Sequence, residues 1–224
     1  WMAGYGGRTK PSDGVLHPIW AKALALEDVT GKRAVIIATD TIGLSASIYK
    51  SLKLKLAKEY KLTPDQVMLN TSHTHTGPVM REGLYDIYPL TQERIARIEE
   101  YSERFEAEIV KITGQALKNL EPASLKHGIG ITRFAVNRRE NKPYSDVPKL
   151  IAANTLKGPV DHDVPMLAVY KGLNLKAVVF GYACHSTTLS FQKFSGDYAG
   201  FTQIALEKSH PGALALFSPG CGAD

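Results

Sequence analysis

The chain has 224 residues, of which 44% are hydrophobic and 22% are charged, a composition typical of a globular protein and not of a disordered one. Its formal net charge of +5 is spread along the sequence, without a block of Lys and Arg or interleaved aromatics. This pattern argues against a nucleic-acid partner and leaves a weak attraction to anionic membranes open. No apolar run is long enough to cross a membrane, and no signal peptide is visible in the given sequence.

The two ends of the sequence suggest a fragment. It begins without Met inside a glycine-rich stretch and stops at Asp224, soon after a strand-like run. We therefore expect a single domain over residues 1–224, truncated at both ends, with an oligomeric state that the sequence does not reveal. Two cysteines, Cys184 and Cys221, are too few for a disulfide framework.

Glycine-rich residues 1–8 are not expected to bind phosphate, because no strand precedes them and no helix follows. They are interpreted as a loop folded over another part of the protein. Residues 19–27 and 33–39 are β-like runs around a turn and predict a hairpin. Apolar residues then recur every four positions in 44–60, which predicts an amphipathic helix.

Two histidines one residue apart follow the next apolar run, Val67-Met68-Leu69. In an extended segment alternate side chains share a face, so His73 and His75 should project into one pocket. Neutral imidazole is a common metal ligand, and the pattern is consistent with a metal site. Two surface histidines on a polar loop are an equally good interpretation of this motif alone.

The middle of the chain is mostly structural. A regular apolar stripe predicts a long helix over 91–119, and a strand should follow over 124–132. After that strand come two adjacent arginines, Arg138 and Arg139, which fit either a solvated turn or one guanidinium turned inward to bind an oxygen. Residues 144–159 form an excursion from the core and are interpreted as a candidate lid.

The last third of the sequence repeats the order of hairpin, helix and strand found in the first. The hairpin is expected over 166–170 and 175–182, the helix over 198–209 and the strand over 213–217. The helix residues expected to point inward are Phe201, Ile204 and Ala205.

Superimposing the two repeats places His185 where Asp40 lies, and residues 220–224 where the His73/His75 loop lies. Both units in one shared sheet would bring these chain ends to the same edge, where open α/β sheets bind ligands. The predicted fold is therefore α/β, a mixed β-sheet layered with helices, built from two hairpin-helix-strand units with the active site at the carboxyl ends of the strands. It should bring His73, His75 and His185 into one cleft.

Several motifs together resemble the N-terminal catalytic domain of the neutral/alkaline non-lysosomal ceramidases. They are Met2-Ala3-Gly4-Tyr5, Ser72-His73-Thr74-His75-Thr76-Gly77-Pro78, Asn137-Arg138, Ala183-Cys184-His185 and Gly220-x-Gly222-x-Asp224. The resemblance implies a Zn²⁺-dependent amidase that hydrolyses the N-acyl bond of the lipid ceramide to sphingosine and a fatty acid. It also implies a secreted, periplasmic or cell-surface protein.

The same resemblance implies roles for individual residues. His73 and His185 match two zinc ligands, His75 the histidine that faces the substrate's hydroxyl end, and Arg138 an arginine of the active-site pocket. The family's other two ligands, a glutamate and a tyrosine, would lie beyond residue 224. The family's Gly-Asp-x-Ser-Pro stretch, with its proposed serine, is replaced or cut off near residues 221–224.

These residue types suit amide hydrolysis, which needs a strong nucleophile, a stabilised oxyanion and a proton for the leaving amine. Two other interpretations remain open. Cys221 could be the nucleophile of a cysteine amidase, or the chain could be a noncatalytic lipid-binding or interaction domain on the same scaffold. A barrel-type metal amidohydrolase ranks below both, since its His-x-His should follow the first of eight parallel strands.

Overall fold

The computed structural model describes residues 1–222, which contain the strands and helices expected from the sequence. The strands are β1 (Ala21–Glu27), β2 (Arg33–Thr39), β3 (Val67–Thr71), β4 (Ser124–Ile131), β5 (Asp163–Lys171), β6 (Asn174–Tyr182) and β7 (Leu214–Pro219). The helices are α1 (Ala46–Tyr60), α2 (Gln92–Lys118), α3 (Val147–Ala152) and α4 (Asp197–Ser209). The predicted α/β fold and its two hairpin-helix-strand units are confirmed.

The strands form two mixed sheets, so the expectation of one shared sheet is wrong. One sheet has the order β1-β2-β3 and the other the order β4-β5-β6-β7. In each sheet an antiparallel hairpin is followed by a parallel strand, β3 beside β2 and β7 beside β6.

Side chains occupy the free edge of β7, which explains why the sheets do not merge there. The Lys22 amino group donates to the Ala215 carbonyl at 2.9 Å, and the Ala215 amide donates to Glu207 Oε1 at 3.0 Å. The backbone groups of Ala215 that a further strand would use are therefore already satisfied.

Helices α1 and α2 cover the first sheet. The apolar face of α1 is buried through Ile48, Leu52 and Leu56, and the side chain of Ser45 caps its first turn by accepting from the Ile48 amide. The long α2 packs on both α1 and β1. Its buried stripe also contains Glu106, which receives hydrogen bonds from Arg81 at 2.5 Å and Lys55 at 2.6 Å.

Helix α4 buries a different face from the one predicted. Phe201 is 46% exposed and Ala205 is also exposed, whereas Ala199, Gly200 and Gln203 are buried. A Cβ on Gly200 would lie 2.5 Å from a ring carbon of His17, so the helix approaches this ring more closely than any larger residue would allow. Close packing through small residues turns Phe201 outward.

The N-terminal loop, residues 1–8, folds over another part of the protein, as expected, and the structure shows that this part is the segment that carries the histidine pair. Met2 forms an isolated bridge with Pro78, and the Ala3 amide donates to the Gly77 carbonyl at 2.9 Å. The candidate lid over 144–159 contains α3. In the part of the chain that the structure describes, no helix combines the length and apolarity needed to cross a membrane.

Candidate metal centre

Three histidines from distant parts of the sequence meet at the carboxyl ends of β3 and β6. One ring nitrogen each from His73, His75 and His185 can be chosen so that all three lie within 4.8 Å of one another. The ring centroids are separated by 4.6 Å for His73 and His185, 4.9 Å for His75 and His185 and 5.2 Å for His73 and His75. The predicted convergence of the three histidines is confirmed.

The histidine pair converges for a reason other than the one predicted. Strand β3 ends at Thr71, and His73 has a φ of +56°, so the segment is not extended at this point. The left-handed residue turns the chain, and Thr74 and Thr76 point away into the interior, where both hydroxyls donate to the Ser195 carbonyl at 3.0 and 2.9 Å. These buried contacts hold the loop beside the start of α4.

A backbone contact orients one of the three rings. His73 Nδ1 lies 2.6 Å from the Ile42 carbonyl oxygen and donates to it, which leaves Nε2 as the lone-pair nitrogen. The backbone of Gly222 acts on His185 in the direction that raises its pKa. Histidines that bind metals usually donate their second ring nitrogen as His73 does, because the contact sets both the tautomer and the ring orientation.

His75 is held differently. Its Nε2 lies 3.0 Å from His185 Nε2, and its Nδ1 is buried without a hydrogen-bond partner among the described residues. Burial, followed by the charges of His185, His73, Arg138 and Arg8, lowers its pKa to about 4. Burial and the charges of His73 and Arg138 also lower the pKa of His185. His75 is therefore neutral near pH 7, the form in which imidazole binds metals.

The cluster fits a metal ion. Two nitrogens 3.0 Å apart can both lie about 2.0 to 2.1 Å from one zinc ion, and His73 is close enough to offer a third imidazole. Imidazole ligands also suit copper, iron and nickel, so this donor set agrees with zinc without selecting it.

Arg138 lies within electrostatic range of His75 and His185, two of the three histidines that the structure brings together. Its side chain is exposed, yet its charge contributes to lowering the pKa values of His75 and His185. Hydrogen bonds hold the turn that presents it: Asn137 Oδ1 accepts from the Arg139 amide at 3.2 Å, and the Asn141 side chain donates to the Asn137 carbonyl at 2.6 Å.

A family model described as neutral/alkaline non-lysosomal ceramidase, N-terminal, matches residues 1–216. The chain belongs to this family. Neutral ceramidase A of Dictyostelium discoideum is 26% identical over 234 residues, covering 99% of this chain and 31% of the relative. Neutral ceramidase of Pseudomonas aeruginosa is 24% identical over 194 residues, covering 84% of this chain and 28% of the relative.

Solved structures support the fold of this ceramidase-family chain. The crystal structure of the Pseudomonas aeruginosa neutral ceramidase matches with a TM-score of 0.76 at 22% identity, over 97% of this chain and 35% of that one. A structure described as ceramidase complexed with C2 matches with a TM-score of 0.73 at 21% identity, over 97% of this chain and 34% of that one. The chain thus spans about a third of the length of the relatives it matches.

Sequence reasoning missed three residues that support the histidines in this family member. Gly4 lies against His75, and the Tyr5 ring meets the His75 ring edge-on at 5.2 Å. Asp197 is fully buried and accepts hydrogen bonds from the Thr188 and Leu189 amides, which holds the loop after His185. The signals for the first two were the glycine-rich loop and the Met2-Ala3-Gly4-Tyr5 motif, but neither shows what the loop covers.

The remaining residues considered for the site are the two cysteines and the end of the chain. Cys221 is exposed, and burial, followed by the charge of Asp197, raises the pKa of the Cys184 thiol to about 11. Cys184 is therefore a poor nucleophile near neutral pH. Asp224, part of the terminal motif, lies outside the described residues.

Proposed function

We propose that this chain forms the zinc-binding N-terminal part of an amidase that hydrolyses the N-acyl bond of ceramide or a related N-acyl lipid, giving a sphingoid base and a fatty acid. The observation that carries the proposal is the convergence of His73, His75 and His185 from two loops. Membership of the ceramidase family and the names of its relatives supply the substrate class. A secreted, periplasmic or cell-surface location and peripheral contact with a membrane surface are part of the same proposal.

The contacts of each ring support a division of roles. His73 has a ring nitrogen held by the Ile42 carbonyl, as metal ligands do, and the family resemblance pairs it with His185, so we assign both as ligands. His75 has no such backbone contact to its ring among the described residues, and we assign it to orienting the substrate. The resemblance places a glutamate and a tyrosine ligand beyond residue 224.

Zinc, when bound, activates water near neutral pH and polarises the substrate carbonyl. The chain's own residues must then position the amide and stabilise negative charge. Neutral His75 can exchange a hydrogen bond with a substrate hydroxyl, since it is uncharged near pH 7. Arg138 contributes a permanent positive charge at the edge of the cluster and can steady the developing oxyanion.

The test is hydrolysis of a ceramide that carries a fluorescent acyl chain, together with metal analysis, both on the purified full-length protein that contains this chain. We expect bound zinc, turnover that a chelator abolishes, and recovery on adding zinc back. Turnover that survives the chelator but is lost on thiol alkylation would favour a cysteine amidase at Cys221. Lipid binding without any turnover would favour the noncatalytic domain.

A further inference from the structure

Arg8 is a buried cation in the N-terminal loop, only 5% exposed. Its guanidinium donates to the His75 carbonyl at 3.0 Å, to the Phe191 carbonyl at 3.3 Å from both terminal nitrogens, and to Gln192 Oε1 at 2.6 Å. All of these acceptors are neutral oxygens. Burying a charge is costly, so such a site is stable only because several directed hydrogen bonds compensate for the lost water.

The segments joined by Arg8 are the two that carry the histidines. One bond reaches the backbone of His75 itself, and the others reach Phe191 and Gln192, which lie further along the loop that joins β6 to α4 and carries His185. The two loops also contact each other directly, because the His75 amide donates to the Ser186 carbonyl at 3.2 Å. The guanidinium thus spans the junction at which the two imidazoles meet.

Tyr5 reinforces this arrangement from the same loop. Its hydroxyl donates to the Leu189 carbonyl at 2.8 Å, and its ring lies under the guanidinium of Arg8, with 5.1 Å between the guanidinium carbon and the ring centroid. The N-terminal loop therefore contacts both histidine loops through two adjacent side chains.

We propose that Arg8 is a positioning residue that sets the spacing between His75 and His185 by hydrogen-bonding both of their loops at once. It contacts His75 through the backbone and does not touch the imidazole cluster. A planar guanidinium suits this task, because its donors point in fixed and different directions, whereas the ammonium of a lysine is a single point. The link to metal binding rests on the proposed function; the geometric role does not.

The experiment compares Arg8→Met and Arg8→Lys with Lys22→Met in the purified protein. Lys22 is a matched control, since it is a buried cation, 7% exposed, that donates to a backbone carbonyl and to Glu207 away from the histidine loops. The first measurement is hydrogen exchange of the His75 amide in the metal-free protein. The second is affinity for Co²⁺, followed through its visible absorption.

We expect Arg8→Met to speed hydrogen exchange of the His75 amide by about tenfold or more. Local opening of the wild type must break the hydrogen bonds of Arg8, and the variant lacks them, so opening requires less free energy. The affinity of this variant for Co²⁺ should fall roughly ten- to a hundredfold, as it does when residues that orient metal ligands are lost. Arg8→Lys should lie between Arg8→Met and the wild type. Lys22→Met should lower thermal stability but leave both quantities within about twofold of the wild type.

Unchanged exchange and unchanged Co²⁺ affinity in Arg8→Met, even with a lower melting temperature, would overturn the proposal. If Arg8→Met does not fold, Arg8→Lys decides the matter by the same two measurements, and wild-type values in it would count against the proposal. If the wild type binds no Co²⁺, the zinc-dependent function fails, and amide exchange alone still decides the role of Arg8.

Discussion

Replacing Gly4 by Ala tests whether the N-terminal loop shapes the metal centre. A Cβ at this position would lie 2.4 Å from His75 Cα and 2.5 Å from both its Cβ and its carbonyl oxygen. Real Cβ atoms do not approach backbone this closely, so either the loop or His75 must move. The φ of +109° at Gly4 adds strain of its own, since residues with a Cβ rarely adopt it.

The tight contact and the positive φ together set the expected loss of stability in Gly4→Ala. Overpacking of a tight contact costs about 1–3 kcal/mol, and an unfavourable positive φ costs about 1–3 kcal/mol. A combined loss of roughly 2–6 kcal/mol lowers the melting temperature of a chain of this size by about 4–24 °C. Displacing His75 by even 1 Å should reduce turnover of an N-acyl lipid by about a hundredfold.

Gly6 in the same loop supplies the control. A Cβ there meets nothing within 4 Å, so Gly6→Ala should change stability and turnover little. The assay is differential scanning calorimetry of both variants, followed by turnover measured well below their melting temperatures. Equal behaviour of Gly4→Ala and Gly6→Ala would refute the reasoning, because only the first substitution places atoms against His75.

Three further predictions follow from the site and its supports. His73→Ala should lose metal and turnover together, whereas His75→Ala should keep most of the metal and lose turnover; equal metal loss would show that the roles are assigned wrongly. The pKa of His75 is lowered from 6.5 to about 4 in the folded protein. Between these pH values the unfolded chain binds a proton at His75 that the folded protein does not bind. The free energy of unfolding of the metal-free protein should therefore fall as the pH drops from about 6.5 to 4. His75→Gln should flatten this part of a urea-unfolding series, and an unchanged slope would contradict the assignment. Glu106→Gln should lower the free energy of unfolding, measured with urea, by about 3 kcal/mol, as for a broken buried ion pair. The control Glu108→Gln, at an exposed position, should change it by less than about 0.5 kcal/mol. Equal losses in the two variants would contradict the burial argument.

Glu106 also shows how a buried charge supports the site. Its burial favours the neutral acid, but hydrogen bonds from Lys55 and Ser51 and the charges of Lys55 and Arg81 outweigh this effect and lower its pKa. Arg81 follows the histidine loop by a few residues, so the ion pair holds the exit of that loop against α2. The proposed metal centre is thus fixed from the helix side as well as from the N-terminal loop.

The sequence by itself determined the local structure and much of the site. Four-residue apolar spacing identified α1, and a regular stripe identified α2, because a helix must bury one face whatever it packs against. The repeated order of hairpin, helix and strand was sufficient to place His185 beside the histidine pair. That inference assumed one shared sheet, whereas the strands form two sheets, and the ends of β3 and β6 nevertheless lie together.

Only the tertiary structure decided how distant segments contact one another. Lys22 and Glu207 occupy the edge of β7 and divide the strands into two sheets, and Gly200 lets α4 approach His17 so closely that Phe201 turns outward. Gly4 and Arg8 support histidines that lie far away in sequence. Periodicity predicts which face of a helix or strand is apolar. Which other segment packs on that face depends on contacts between residues distant in sequence, and no local pattern predicts these contacts.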